Sequence, residues 1–253
     1  MAVDQAVATD NRAVNEAVSA QREFTAYGPS HLVVLVVFVI GAVLLVWIGR
    51  RQTEAQARVL GRVLSVLLIV ALVVAMAYKL ARLDIQTSVP LQLCDIAEIV
   101  AAYALWSQRH WAFVITYYWG LFLSSQALIT PDIGTPAEGA PDFPHHLFVT
   151  FFALHVLVVW AAIYLTWGQR MRPRWRDYRF AAVAGLAWVV FTLAFNVIFD
   201  TNYGYLNGKP PTASVLDFLG PWPIYLLAEI VIVLVVWALM TWPWQRKRRA
   251  AHV

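Results

Sequence analysis

The sequence predicts an all-α membrane protein, a bundle of seven transmembrane helices with the N-terminus outside and the C-terminus in the cytoplasm. Hydrophobic residues make up 60% of the 253-residue chain and charged residues only 13%, unlike an ordinary soluble domain. Mostly apolar stretches recur along the chain, each close to the roughly 17 to 25 residues that a helix needs to cross the hydrocarbon core. Arginine and lysine concentrate in alternate loops, which indicates the cytoplasmic side.

The apolar stretches define the order of the elements. The seven predicted spans are residues 32–49, 59–80, 90–107, 111–130, 146–167, 180–200 and 220–242. Residues 1–26 are polar and alanine-rich and lack the basic start of a signal peptide, so we expect a flexible or surface-helical tail. Residues 27–244 then form one transmembrane domain, and residues 245–253 form a basic cytoplasmic tail.

Loop charges predict the orientation. The basic segments are residues 50–62, 108–110, 168–179 and 245–253. They hold 14 of the 19 lysines and arginines, with Glu54 and Asp177 as their acids. Lysine and arginine accumulate on the cytoplasmic side, so these segments are predicted to be cytoplasmic. We therefore expect the protein, with its net charge of +4, to bind anionic lipid headgroups and not nucleic acid.

The first two spans carry few polar groups. Span 1 opens at Ser30 and His31 and is otherwise apolar. Span 2 is aliphatic until Tyr78 and Lys79, which predicts a lipid-facing support.

Span 3 is polar near its start. Pro90 suits the first turn of a helix, and Cys94, Asp95 and Glu98 follow it closely. At about 1.5 Å per residue, Cys94 is expected roughly 6 Å and Glu98 roughly 12 Å below the helix start. Ionisable groups at such depth usually face a bundle interior or a water-filled cavity. Cys94 is the single cysteine, which excludes an intramolecular disulfide.

Spans 4 to 7 carry their polar residues towards the same outer side, which predicts a polar pocket opening there. Trp106 and Trp111 suit the inner interface at the other end of span 4. The loop from 202 to 223 is rich in Gly, Pro, Asn and aromatic residues, which favours an ordered lid. The candidate pocket residues are Gln126, Asp132, His145, His146, His155, Asn196, Asp200, Asn202, Asp217, Trp222 and Glu229.

The residue types leave alternatives open. Cys94 is either a nucleophile near a helix N-terminus or a small buried hydrophobe. His155 is either its base or a structural hydrogen-bonding residue, and His146 is the alternative base. Asp95 and Glu98 either orient the histidine or pair between helices. We expect no metal and no cofactor, since no ligand spacing or phosphate-binding loop is present.

Four segments resemble the YwaF-like family of bacterial integral membrane proteins. They are residues 90–94 (PLQLC), 128–132 (LITPD), 151–155 (FFALH) and 202–225, which ends in DFLGPWPIY. The resemblance covers roughly residues 30–244 and implies a multi-pass protein of the bacterial plasma membrane. The YwaF-like family is distantly similar to a eukaryotic transmembrane family that contains a cysteine-dependent phospholipid acyltransferase. That similarity implies acyl transfer through a thioester, with Cys94 and His155 at the matching positions, whereas Asp95 and Glu98 depart from the pattern.

The sequence-based hypothesis is a membrane-embedded acyltransferase or lipid hydrolase that acts on lipid acyl esters at the outer leaflet. Cys94 attacks the ester, His155 transfers protons, and Asp95 or Glu98 orients the imidazole. The predicted substrate-binding residues are His146, Gln126, Asp132, Asn196, Asp200, Asn202, Asp217 and Trp222. The alternatives are a transporter or ligand-binding protein that uses the buried carboxylates and histidines, and a non-catalytic assembly partner in the membrane.

Overall fold

A computed structural model describes residues 23–133, 140–210 and 215–250, and these contain seven helices. Helices α1, α2, α4, α5 and α6 and the 22-residue part of α7 up to Gln245 are long and apolar enough to cross a membrane. The prediction of an all-helical membrane protein is confirmed. Residues 1–22 of the predicted tail lie outside the described residues. The helices are α1 Pro29–Gly49, α2 Glu54–Ala81, α3 Leu93–Ser107, α4 His110–Ile129, α5 His146–Gly168, α6 Trp175–Phe199 and α7 Ile224–Ala250.

The helix termini gather at two ends of the bundle. The basic end comprises residues 49–54, 107–110, 168–175 and 245–250, and the polar end comprises residues 81–93, 129–133, 140–146 and 199–210. Helix α7 continues to Ala250, so the first residues of the predicted basic tail are helical.

Helix α3 is shorter than predicted, because it begins at Leu93 and not at Pro90. Residues 89–92, which precede it, are held in turns by contacts with the loop that follows α6. The Tyr203 hydroxyl accepts a hydrogen bond from the Val89 N–H at 2.9 Å, and the Gln92 Oε1 atom accepts one from the Gly204 N–H at 3.0 Å. Cys94 therefore lies in the first turn of α3, about 1.5 Å along its axis rather than about 6 Å.

Helix α3 lies at the centre of the bundle, against α2, α4 and α5. The small side chains of Ala97, Ala101 and Ala104 are fully or almost fully buried, which lets neighbouring helices approach closely. By contrast, α1 and α2 expose most of their valines and leucines, as expected of surfaces that face lipid.

Helices α4 and α5 each contain a π-helical segment, Thr116–Ser124 in α4 and Tyr164–Gly168 in α5. Such segments are rare, and they often occur at functional sites. The α5 segment ends at Gly168, whose backbone packs against the end of α1. A Cβ atom placed on Gly49 would lie only 2.7 Å from the Gly168 Cα atom.

This close approach predicts a destabilising effect of Gly49→Ala. The contact is with backbone, which cannot rotate away, so we expect a loss of about 1–3 kcal/mol from overpacking. Gly185→Ala is the matched control, because its new methyl group would meet the Trp237 ring at an ordinary 3.6 Å. Thermal unfolding of both variants in detergent tests this, and equal melting temperatures for the two would contradict the tight packing of α1 on α5.

Candidate active site

The first turn of α3 places Cys94 in a positive field. No side chain in the described part of the protein caps the N-terminus of this helix. Its free N–H groups carry the positive end of the helix dipole, which stabilises nearby anions. Cys94 is a free, partly buried thiol at this position. Burial of the thiol and the carboxylates of Glu98 and Asp95 oppose this field, so a base is needed to take the proton from Cys94.

Lys79 from α2 adds a cation to the site. Its Nζ atom lies 2.9 Å from the Asp95 Oδ1 atom, and both side chains are mostly buried. The Asp95 Oδ2 atom is buried without a hydrogen-bond partner. Helix α2 is therefore more than the lipid-facing support predicted from its aliphatic sequence, because its polar end supplies the counter-ion of a central carboxylate.

His155 lies in α5 with a defined proton position. Its Nδ1 atom is 2.7 Å from the Phe151 carbonyl oxygen, and the side chain is 7% exposed. Because a carbonyl oxygen only accepts hydrogen bonds, Nδ1 carries the proton. In the neutral ring the Nε2 atom then has the free lone pair and can act as a base.

Asp95 links the cysteine and the histidine electrostatically. Its carboxylate interacts with Cys94 on the same helix and with His155 on the neighbouring α5. Glu98, which is 4% exposed, lies one turn after Cys94 on the same face of α3 and also interacts with the thiol. In the described part of the chain the Cys94 thiol and His155 share no direct hydrogen bond, so Asp95 is the group common to both.

Asn196 holds the loop that follows α6. Its fully buried amide donates from Nδ2 to the Tyr203 carbonyl at 2.9 Å. Its Oδ1 atom accepts hydrogen bonds from the Thr201 hydroxyl at 2.8 Å and the Tyr203 N–H at 2.9 Å. These bonds give Asn196 a structural function, and its predicted contact with substrate stays a prediction.

Asn202 organises the next turn in the same way. Its Oδ1 atom accepts hydrogen bonds from the Asn207 and Gly208 N–H groups, and its Nδ2 atom donates to the Gly208 carbonyl. Two residues after Asn202, Gly204 adopts a positive φ of 67° against the Trp188 ring, where a Cβ atom would lie 2.4 Å from the ring. Residues 201–208 of the loop are thus ordered by their own side chains.

Tyr205 is a site residue that sequence reasoning missed. The loop holds it at φ 54°, a left-handed conformation uncommon for a residue with a side chain. Its phenol interacts electrostatically with Asp132 and Cys94, and burial together with these two groups raises the pKa of Tyr205. At neutral pH the hydroxyl therefore stays protonated and can donate a hydrogen bond. A tyrosine between glycine and leucine gives no sequence signal of this role.

The remaining predicted residues lie at the polar end with exposed side chains. The His146 ring is 4.5 Å from the Tyr78 ring, and Asp217 lies 3.8 Å from the Lys209 ammonium. The Trp222 indole donates to the Leu206 carbonyl at 3.0 Å, which ties the loop to the start of α7. The exposed predicted residues are Gln126, Asp132, His146, Asp200, Asp217 and Trp222.

The structure therefore divides the predicted residues into two groups. Cys94, Asp95 and Glu98 lie in the first two turns of α3 and His155 lies on the neighbouring α5, whereas the substrate-binding candidates lie around the polar end. Within the described ranges, no group of three His, Cys, Asp or Glu side chains is arranged to hold a metal ion.

Comparison with known proteins identifies the family of the chain. The model of the TMEM164 family matches residues 26–241. The chain belongs to the TMEM164 family. The match extends from just before α1 into α7 and includes all the predicted site residues. Together with the long apolar helices, it indicates a multi-pass membrane protein. The YwaF-like assignment stays a prediction. No curated protein and no solved structure matches the chain significantly.

Proposed function

We propose that this TMEM164 family member is a membrane acyltransferase or lipid hydrolase that forms a thioester on Cys94. The observation that carries the proposal is the arrangement around Asp95. One carboxylate, paired with Lys79, interacts with a thiol at an uncapped helix N-terminus and with a histidine whose Nε2 atom is free to accept a proton.

The reaction proceeds in two halves. The Cys94 sulfur attacks the carbonyl carbon of a lipid acyl ester while the His155 Nε2 atom takes the thiol proton. The C–O bond of the ester then breaks, and the protonated imidazole returns the proton to the leaving alkoxide. In the second half, the hydroxyl of an acceptor, or water, attacks the thioester with His155 again as the base, which releases the acyl product and the free thiol.

Asp95 and Tyr205 support these steps. Asp95 stabilises the imidazolium that forms when His155 takes the proton, and Lys79 limits the repulsion between this carboxylate and the thiolate. The Tyr205 hydroxyl donates to the oxyanion of the tetrahedral intermediate, a role that suits it better than Asn196, whose amide already holds the loop. The thiol–imidazole hydrogen bond forms when substrate closes the site, as is common for catalytic contacts.

The proposal includes an orientation. The basic end is cytoplasmic and the N-terminus lies outside, because 10 of the 19 lysines and arginines lie within residues 49–54, 107–110, 168–175 and 245–250. Helix α3 then counts as the seventh span, and the site opens to the outer leaflet of a cell membrane of the bacterial type. A substrate phospholipid reaches Cys94 laterally from that leaflet.

Labelling Cys94 in native membranes with an acyl-mimicking, thiol-reactive probe tests the proposal. We expect strong labelling of the wild-type chain, none of Cys94→Ala, and a reduction of about 100-fold or more in His155→Ala, because the base is lost. His110→Ala, at the basic end, is the control and should label like the wild type. Equal labelling of the wild type and His155→Ala, or none in either intact protein, would refute the proposal and favour a transporter or an assembly partner.

A further inference from the structure

The basic end of the bundle contains a cavity of about 250 Å³ that the proposed reaction does not use. It lies where the C-terminal ends of α1, α5 and α7 meet the loop before α6. Three guanidinium groups, one hydroxyl and two indoles form its wall. The lining residues are Arg50, Thr166, Trp167, Arg170, Arg172 and Trp244.

Within the described residues, the three arginines of this cavity have no acidic partner. Arg50 is fixed by a hydrogen bond from its Nε atom to the Trp167 carbonyl at 3.2 Å, and Arg172 lies 6.0 Å from the centre of the Trp244 ring. In the described portion of the chain, Arg50, Arg170 and Arg172 have no carboxylate within 4.0 Å, in contrast to Arg58, which pairs with Glu54. All three arginine side chains are exposed at the mouth of the cavity, and guanidinium groups match phosphate oxygens well.

Thr166 gives a second, independent indication of a ligand. Thr166 is among the residues that line the cavity, its side chain is 1% exposed, and its buried hydroxyl has no hydrogen-bond partner among the described residues. Buried hydroxyl groups are nearly always hydrogen-bonded in native proteins. An anion between the arginines would supply the missing acceptor.

The backbone conformation at the ends of α1 and α5 brings the arginines to the same cavity. Helix α5 ends in the π-helical segment Tyr164–Gly168, and Arg170 follows in a left-handed conformation with φ 61°. Gly49 and Gly168 allow α1 and α5 to touch through their backbones, which brings Arg50 next to Arg170 and Arg172 in the same cavity. An uncommon conformation held by such close packing is typical of binding sites.

An apolar groove of about 600 Å³ continues from the cavity along the outside of α1 and α5. Arg50 and Trp167 belong to both. The groove is open and almost entirely apolar, and Arg51, stacked 4.1 Å over the Trp47 ring, lies at its basic end. The other residues of the groove are Ala42, Val43, Val46 and Ile163. Its chemistry suits an acyl chain, and the arginines suit the phosphate to which that chain is attached.

We infer that the basic end of the protein binds one anionic phospholipid, with its phosphate among Arg50, Arg170 and Arg172 and an acyl chain in the groove of α1 and α5. A free phosphate ion would use the cavity alone and leave the groove empty. This lipid is distinct from the proposed substrate, because the site lies at the opposite end of the bundle from Cys94. The inference therefore stands whether or not the protein is an acyltransferase.

Thermal unfolding of the full chain in detergent tests this site. Dioleoylphosphatidylglycerol, dioleoylphosphatidylcholine or inorganic phosphate is titrated into the wild type and into the double variant Arg50→Gln/Arg172→Gln. We expect the melting temperature of the wild type to rise most with phosphatidylglycerol, and the apparent affinity to fall about 100-fold in the double variant as two charge-assisted contacts are lost. The control variant Arg58→Gln/Arg62→Gln removes the same charge from α2 at the same end of the bundle. It should bind phosphatidylglycerol like the wild type.

Each other outcome overturns the inference. Equal weakening by the α2 variant would show diffuse attraction to basic residues, and an equal response to inorganic phosphate would show an ion site without a lipid chain. Thr166→Val keeps the shape of the side chain and removes its hydroxyl, so it tests the site where the arginine variant fails to fold. We expect it to weaken phosphatidylglycerol binding about tenfold, and wild-type binding would contradict the assignment.

Discussion

Cys94→Ser is expected to reduce acyl transfer by at least about 1,000-fold, the largest effect of any substitution considered for this protein. Serine keeps the size of the side chain, but its hydroxyl stays protonated where a thiol ionises, and the thiolate is the effective nucleophile. The N-terminal end of α3 and the Lys79 cation favour the thiolate that His155 generates, whereas burial and the carboxylates of Glu98 and Asp95 oppose it. The wild-type thiol is therefore expected to carry an acyl group that hydroxylamine removes.

Mass spectrometry of the purified chain after incubation with phospholipid measures this adduct directly. The expected mass increase is one acyl group on the peptide that contains Cys94, absent from Cys94→Ser. Turnover of a fluorescent phospholipid gives the rate. An acylated serine variant with unchanged turnover, or an adduct on a different residue, would show that the thiol does not carry the chemistry.

Asn196→Ala is expected to destabilise the protein by about 3–5 kcal/mol. The substitution removes three hydrogen bonds and leaves the N–H and carbonyl groups of Tyr203 without their partners in a buried position, at about 1–3 kcal/mol for each buried group. Because Tyr203 also holds residues 85–89 through its hydroxyl, the connection before α3 should loosen with the loop.

Unfolding of the purified protein in mixed micelles measures this loss, and Asn207→Ala is the control. The Asn207 side chain is exposed and makes one hydrogen bond, to the Thr201 carbonyl, so its removal should cost about 1 kcal/mol or less. Similar losses for the two variants would mean that Asn196 is not the centre of the loop.

The helices were predictable because hydrophobic length alone defines a membrane span. The limits of this signal appear at α3, where Pro90 suggested a start three residues too early. The true start depends on the Gln92 side chain, which accepts a hydrogen bond from Gly204 more than 100 residues away. Periodicity and turn propensity carry no information about such a contact.

The candidate site was predictable in its residues and not in its connections. Buried carboxylates are costly in a membrane, which drew attention to Asp95 and Glu98. The sequence does not indicate a role for Lys79, because this residue lies near the end of an aliphatic helix. An ammonium group near the end of a membrane helix nevertheless also needs a partner. In the sequence, the arginines before α6 indicate only the orientation of the protein in the membrane. Their place beside Arg50 follows from the folded chain alone.

The length of α3 has a consequence for the lipid around it. A 15-residue helix is about 22 Å long, whereas the hydrocarbon layer is about 30 Å thick. One face of α3 is open, with Ile99, Tyr103 and Trp106 each more than one third exposed. In the proposed seven-span arrangement, such a short helix is accommodated by thinning of the bilayer beside it, which draws headgroups and water inward. The hydrophobic mismatch would then lower the ester linkages of neighbouring phospholipids towards the level of Cys94, so that the membrane deforms to meet the thiol.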